Sequence, residues 1–210
     1  MHSRLNAFVN VISLTLSNMF DNPTISFTGD IYRDSQALLI HHGRQATAEH
    51  SLRVAAEAKR LALRWNEDPA KAEIAGWLHD ISAIIPRNLQ LELAESQHID
   101  VLPEERTHPL LLHQKLSAVI AGEIFLVLDQ LILDAIECHT TLKANSSSLD
   151  KIVFIADKLK WDQAGDPPYL EALQAALKQS LDAGAFLYLN YLWQQRETLL
   201  ALHPWVAEAT

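Results

Sequence analysis

Ala75-Gly76-Trp77-Leu78-His79-Asp80-Ile81 sets an imidazole and a carboxylate side by side at the end of an apolar helical run. A buried, ionised carboxylate is costly unless something cationic holds it, and for adjacent histidine and aspartate a metal ion meets that need. His79-Asp80 is therefore read as the centre of a metal site. One such pair arises readily by chance, so the reading depends on whether further ligand types fall on apolar faces elsewhere.

They do. Val54, Ala58, Leu61 and Trp65 share one helical face, and His50 lies on it one turn before Val54. Asp68-Pro69 reads as the N-cap and first residue of the next helix. Its inner face carries Ala72, Ala75, Gly76, His79 and Ala83, small residues that let backbones approach, until Pro86 stops it. A weaker helix is expected at about 88–97, then a turn-rich segment at 100–107. Pro109 can open a helix with Leu110, His113, Ser117, Ile120, Ala121 and Ile124 on one face. Asp129 is a plausible cap for another, with Ile132, Ala135, Ile136 and His139 as its stripe. After a polar loop at 143–148, residues 152–156 are apolar almost all round, so their helix should be the most buried, and Asp157 emerges directly from it. Asp166-Pro167-Pro168 precedes a helical region expected to run from Tyr169 to about Leu202.

At the amino end, Leu5, Phe8, Val9, Ile12, Leu16 and Met19 form the stripe of an amphipathic helix suited to packing or oligomer contact. Asp21-Asn22-Pro23 ends it, Thr28-Gly29-Asp30 marks a turn, and a short helix is expected at about 35–41. His41-His42-Gly43 reads as a helix terminus with glycine as its cap, not as a pair of ligands. No alternating strand pattern of useful length appears and six glycines leave few tight hairpins, so the fold is expected to be all-α. A helical extension (1–44) is expected ahead of one domain (45–210).

A net charge of −9 without any block of lysine or arginine argues against a nucleic-acid duplex as partner. An acidic protein can still take a phosphorylated small molecule when bound metal supplies positive charge. Asp129 and Asp134 interrupt the longest apolar candidate, so no membrane span is expected, nor is a signal peptide. A single cysteine, Cys138, cannot form an intrachain disulfide and fits a reducing, cytoplasmic setting.

His50, His79, Asp80, His113, His139 and Asp157 thus project inward from five expected helices. Their order resembles the HD-domain metal-dependent phosphohydrolase superfamily. More narrowly, His50-Ser51-Leu52-Arg53-Val54-Ala55, Gly76-Trp77-Leu78-His79-Asp80, Leu111-Leu112-His113, Ala135-Ile136-Glu137-Cys138-His139-Thr140-Thr141 and Ile155-Ala156-Asp157-Lys158 look like the YqeK-type branch. The resemblance covers about 47–160 with specific motifs. It implies an HD-domain helical bundle with a metal centre in its core and symmetrical hydrolysis of diadenosine tetraphosphate at two iron ions. It also implies that His50, His79 and Asp157 complete one metal's shell while His113 and His139 hold the other. Against the branch's pattern, Ala83 stands where a lysine is common, Gln163 where an arginine is common, and Gln114 and Leu142 where glycines are expected.

The physical reading agrees with that chemistry. Two divalent cations roughly 3.5–4 Å apart can bind and deprotonate a bridging water and brace phosphoryl oxygens during in-line displacement. The expected reaction is attack of a metal-bound hydroxide on a nucleotide phosphoanhydride. A carboxylate has two oxygens with which to bridge two metals, the role expected of Asp80. The imidazole and carboxylate set suits iron, manganese or zinc better than calcium, and iron is preferred on the resemblance alone. Lys115, Lys143, Lys158 and Arg53 lie near ligands in sequence and are candidate phosphate contacts, as is the Thr140 hydroxyl. His98 and His108 read as surface residues, Cys138 as packing and Glu137 as solvent-facing. A di-iron oxygenase of HD type and a noncatalytic nucleotide-binding sensor are alternatives, and a homodimer is compatible with the amino-terminal stripe.

Overall fold

A computed structural model of the chain describes residues 27–161 and 165–209. The expected stripe from Leu5 to Met19 and Gln163 lie outside the described residues. No strand occurs among them, and the fold is all-α.

Helix α1, Ile31–His41, begins four residues earlier than the sequence pattern indicates because Asp30 caps it, accepting from the Arg33 amide. Leu38 and Leu39 deliver its inner face to the core, and Gly43 turns the chain at a φ of +69°. Helix α2, Gln45–Arg64, buries His50, Val54, Ala58 and Leu61 along one stripe. Helix α3, Pro69–Leu78, is capped by Asp68 and packs closely on α2. A Cβ on Gly76 would lie 2.5 Å from the Ala55 Cα, so only glycine permits this crossing.

The helix expected to reach Pro86 stops at Leu78. The Ser82 amide donates to Ser117 Oγ, the Ala83 amide turns tightly back to the Asp80 carbonyl, and the chain continues as a 3₁₀ turn, Ile81–Ile84. This break leaves His79-Asp80 at a bend. A further 3₁₀ turn, Arg87–Leu89, leads into α4, Gln90–Ser96. The segment expected to be turns holds a short helix, α5, Pro103–Thr107, whose Glu105 side chain accepts from the Leu102 amide. Pro109–Leu112 is 3₁₀ and runs into α6, His113–Glu123.

Helix α7, Gln130–Glu137, starts at the expected Asp129 cap, and a Ser147–Asp150 capping box opens α8, Ser148–Leu159. Residues 152–156 are fully buried, and α8 passes through the centre of the protein against α2, α3 and α7. The long carboxy-terminal helix is instead divided into α9, Leu170–Ala176, and α10, Leu181–Gln194, with α11, Pro204–Ala209, beyond. Ser180 divides them by capping α10 through the Ala183 amide, while Arg64 takes the freed Leu177 carbonyl. No helix among the described residues is long and apolar enough to cross a membrane.

Candidate metal centre

The six side chains singled out above converge. His50 comes from within α2 and Asp157 from the last turn of α8. The other four sit at helix ends: His79-Asp80 just past α3, His113 opening α6, and His139 just past α7.

Helix ends leave carbonyls for side chains to use, and three imidazoles use them in the same way. His79 Nδ1 lies 2.9 Å from the Gly76 carbonyl, His113 Nδ1 2.6 Å from that of Leu110, and His139 Nδ1 2.8 Å from that of Ile136. A carbonyl only accepts, so each Nδ1 carries the hydrogen and each neutral ring presents a bare Nε2. Those Nε2 atoms point inward, where His79 Nε2 is 3.3 Å from His50 Nε2 and His113 Nε2 is 3.2 Å from His139 Nε2. At His113 and His139 two lone pairs that close repel unless a cation or proton lies between them, which is the arrangement a metal requires of its ligands, while His50 turns its Nε2 to Asp157 at 3.0 Å.

Asp80 spans the group. One carboxylate oxygen is 3.5 Å from His79 Nε2, and the other is 3.6 Å from His113 Nε2 and 3.5 Å from His139 Nε2. Asp157 Oδ1 is 3.0 Å from His50 Nε2 and 3.7 Å from His79 Nε2. The donors fall into two lobes with an Asp80 oxygen facing each. His50, His79 and Asp157 form one group whose ligand atoms lie within 4.8 Å of one another, and His79, Asp80 and His139 another. This donor set fits two divalent ions.

The electrostatics keep both carboxylates ionised. Burial pushes the Asp80 carboxyl up, but the imidazoles of His79, His139 and His113 outweigh it and hold it below the usual range. For Asp157, burial is likewise outweighed, first by Lys158 and then by the His50 hydrogen bond. Burial, with only partial compensation from Asp80, brings His139 down to about 4, keeping its ring neutral near neutral pH.

His50, Asp80, His113, His139 and Asp157 form part of the wall of a cavity of about 490 Å³, and His79 is fully buried. Of the candidate phosphate contacts, Thr140 and Lys158 line the cavity. Thr140 Oγ1 lies 2.9 Å from His113 Nε2, and Lys158 Nζ donates to Asp157 Oδ2 at 2.6 Å and to the His139 carbonyl at 3.2 Å. The other three candidate phosphate contacts are not brought there. Lys115 is two residues beyond His113, about 200° around the helix. It faces away, to the Asp100 carbonyl and Glu105. Lys143 pairs with Asp134 beside a different cavity, and Arg53 is exposed on α2.

Arg44 and Arg87 take their place in the lining, with no guanidinium hydrogen bond or ion pair among the described residues. Neither adjoins a ligand in sequence. The readable sign is a basic residue at the start of the element carrying His50, and another just past the one following Asp80. Trp161, Tyr169 and Tyr188 add aromatic surface.

The Gln114 amide, another unforeseen feature, shapes the turn after His139. Its oxygen accepts from the Thr140 amide at 3.1 Å and its nitrogen donates to Thr141 Oγ1 at 3.0 Å. The same turn holds buried Leu142 at a φ of +52°, a conformation glycine takes freely and leucine does not. Cys138 is buried, and burial pushes its thiol up, as packing requires. Glu137, expected in solvent, is half-buried, and burial pushes its carboxyl up. His98 is exposed and His108 half-buried.

An all-helical chain with this ordered histidine and aspartate set is an HD-domain hydrolase by class. The HD domain family matches residues 47–162, and the chain belongs to that family.

It is similar to several other bacterial proteins. It is 44% identical over 140 residues to the uncharacterised protein in the pepC 5′ region of Lactococcus lactis subsp. cremoris, covering 67% of this chain and 71% of that one. It is 31% identical over 113 residues to the symmetrical bis(5′-nucleosyl)-tetraphosphatase of Staphylococcus aureus, covering 53% of this chain and 57% of that enzyme. In structure it is similar to a protein from Clostridium acetobutylicum described as a predicted HD superfamily hydrolase involved in NAD metabolism. The TM-score is 0.77 at 28% identity, over 85% of this chain and 94% of that one.

Proposed function

We propose that this chain hydrolyses a phosphoanhydride in a nucleotide, and that its substrate is a dinucleoside polyphosphate such as diadenosine tetraphosphate, cut at the central bond. The reading is carried by one cavity that combines five of the six metal-ligand side chains with Arg44 and Arg87, neither of which is paired among the described residues. The tetraphosphatase from Staphylococcus aureus supports the choice of substrate.

His50, His79, Asp157, His113 and His139 would hold two divalent ions, with one oxygen of Asp80 directed to each. Iron is the ion implied by the resemblance, and manganese or zinc suits the same donors. Bound there, the ions supply positive charge and an activated water. Arg44 and Arg87 neutralise phosphate oxygens, which in-line displacement loads with charge, and guanidinium forks match that geometry. The Thr140 hydroxyl is placed to donate a hydrogen bond to a phosphoryl oxygen beside His113. Lys158 holds Asp157 and the His139 carbonyl in place, fixing both lobes from one side. The aromatic rings of Trp161 and Tyr188, backed by buried Tyr169, offer stacking surface for a base.

In the overall reaction, water oxygen bonds to one phosphorus, the bridging P–O bond breaks, and the departing phosphate keeps that oxygen. The test is turnover of a nucleotide panel by protein loaded with iron or manganese, with products identified by mass. ADP as the sole product from diadenosine tetraphosphate, at the same rate with and without oxygen, is the expected result. AMP with ATP would move the cut away from the centre. Oxygen-dependent turnover would support the oxygenase, and tight binding without phosphate release the sensor.

A further inference from the structure

A second cavity, of about 630 Å³, adjoins the metal-centred one, and Arg87 and Leu110 stand in the walls of both. Beyond them its wall is mainly apolar, built by Leu111, Leu199, Leu200 and Ala201, with Asn88 and His108 as polar groups. Leu200 is 89% exposed and Leu110 49%, so this apolar surface is open to a ligand. We propose that it receives the second nucleoside of a dinucleoside polyphosphate whose central bond lies at the metal centre. This inference rests on the dinucleotide reading above.

The argument begins with the shape of such a substrate. Cutting at the centre leaves a nucleoside and two phosphates on each side of the bond, so two arms must lead away from the ligands. The aromatic wall of Trp161 and Tyr188 serves one base. Along the other arm, the Arg87 guanidinium stands where the two cavities meet, with no side-chain partner among the described residues. A charge-assisted fork there suits the phosphates that would pass between them. A base needs apolar surface for its faces and a few polar groups for its edge, and the far cavity supplies both within the usual volume of small-molecule sites. Leu110 ties the cavities together, because its side chain borders both while its carbonyl takes the His113 Nδ1 hydrogen.

The experiment compares three ligands by calorimetry on the metal-loaded protein: ADP, adenosine 5′-tetraphosphate, and diadenosine tetraphosphate with a methylene at its central bridge. The second and third share four phosphorus centres and differ chiefly in the second nucleoside. Wild type should bind the two-base ligand about tenfold more tightly than the one-base ligand. Leu200→Asp and the milder Leu200→Ser should remove that advantage and leave ADP binding unchanged. Equal affinity for the one- and two-base ligands in wild type would overturn the inference, as would an advantage that survives both substitutions. So would loss of self-association in sedimentation with ligand binding intact, since the occupant would then be a second copy of this chain. If ADP binds but no nucleotide is hydrolysed, the catalytic reading fails while the binding comparison still decides the second cavity.

Discussion

Two clusters of buried ionisable side chains lie on different faces of α6, and they are built to opposite ends. On one side Glu105, Lys115 and His203 close on themselves. Glu105 accepts from Lys115 Nζ at 2.8 Å and faces His203 Nε2 at 3.1 Å, while Lys115 also reaches the Asp100 carbonyl at 2.7 Å. The Trp205 amide donates to His203 Nδ1, so in the neutral ring the hydrogen sits on Nε2 and points at the carboxylate. On the other side the tautomers of His79, His113 and His139 are reversed. Their Nδ1 hydrogens go to backbone carbonyls and their bare Nε2 atoms turn inward toward the Asp80 carboxylate. Burial alone does not separate structure from chemistry here. The direction of each imidazole's free lone pair does.

That contrast is broken most severely at Asp80. Asp80→Ala removes both oxygens facing the two lobes, so it should empty both metal positions and lower turnover by about 10³-fold, roughly 4 kcal/mol of barrier. Elemental analysis of the purified variant checks it, and two retained metals would remove the bridging assignment. His113→Ala touches one lobe only. Its occupancy should fall from two ions toward one, with turnover reduced about 10²-fold. Full occupancy would show that the two lobes are not separate sites.

The closed cluster predicts the reverse pattern. Glu105→Ala strands Lys115 in the interior, and breaking a buried pair from one side costs about 3 kcal/mol, or a melting temperature lower by roughly 6–12 °C. Metal content and KM should stay at wild-type values in the folded protein. The pH dependence has a definite sign. Burial pushes the Glu105 carboxyl up, but His203, Lys115 and the Leu102 amide outweigh it and leave its pKa lowered. Its contribution is therefore complete above the ordinary glutamate value of about 4.3 and is lost as pH falls through the lower folded value. Thermal melts of wild type and Glu105→Gln should differ most near neutral pH and converge below about pH 4. A gap that stays constant down to about pH 3 would contradict the assigned direction.

The two clusters were also unequally legible in the sequence. His50, His79, His113 and His139 could be read because each falls on an apolar stripe, and Asp157 because it interrupts the most apolar helix. Periodicity places such residues well, since burial and helical phase are both local properties. Glu105 and His203 lie 98 residues apart in the chain, on a five-residue helix and beside a six-residue one, and carry no periodic signal. Phosphate contacts are harder to read for a related reason. Nearness in sequence is not nearness in space, and Lys115 at i+2 from His113 is carried to the far side of α6. Arg44 and Arg87, more distant along the chain, reach the cavity because bends in the backbone bring them there. The break at His79-Asp80 was equally unreadable, since it depends on the Ser82 amide meeting a hydroxyl 35 residues away.

Gln114 supplies the finest test, because it lies on α6 between the two clusters and belongs to neither. Its amide takes the Thr140 backbone N–H and gives a hydrogen to Thr141, which fixes the turn that aims the Thr140 hydroxyl at His113. Leu142 in that turn already occupies a left-handed conformation, so the turn has reason to relax once the clamp is gone. Gln114→Ala should therefore leave two metals bound while lowering kcat several-fold, the scale of one misplaced hydrogen bond of about 1 kcal/mol. Thr140→Ala should then add little further loss in the double variant, because both substitutions disable the same hydroxyl. Losses that multiply independently would mean that Gln114 acts on the His139 shell directly, and the turn would be a ligand support instead of a substrate contact.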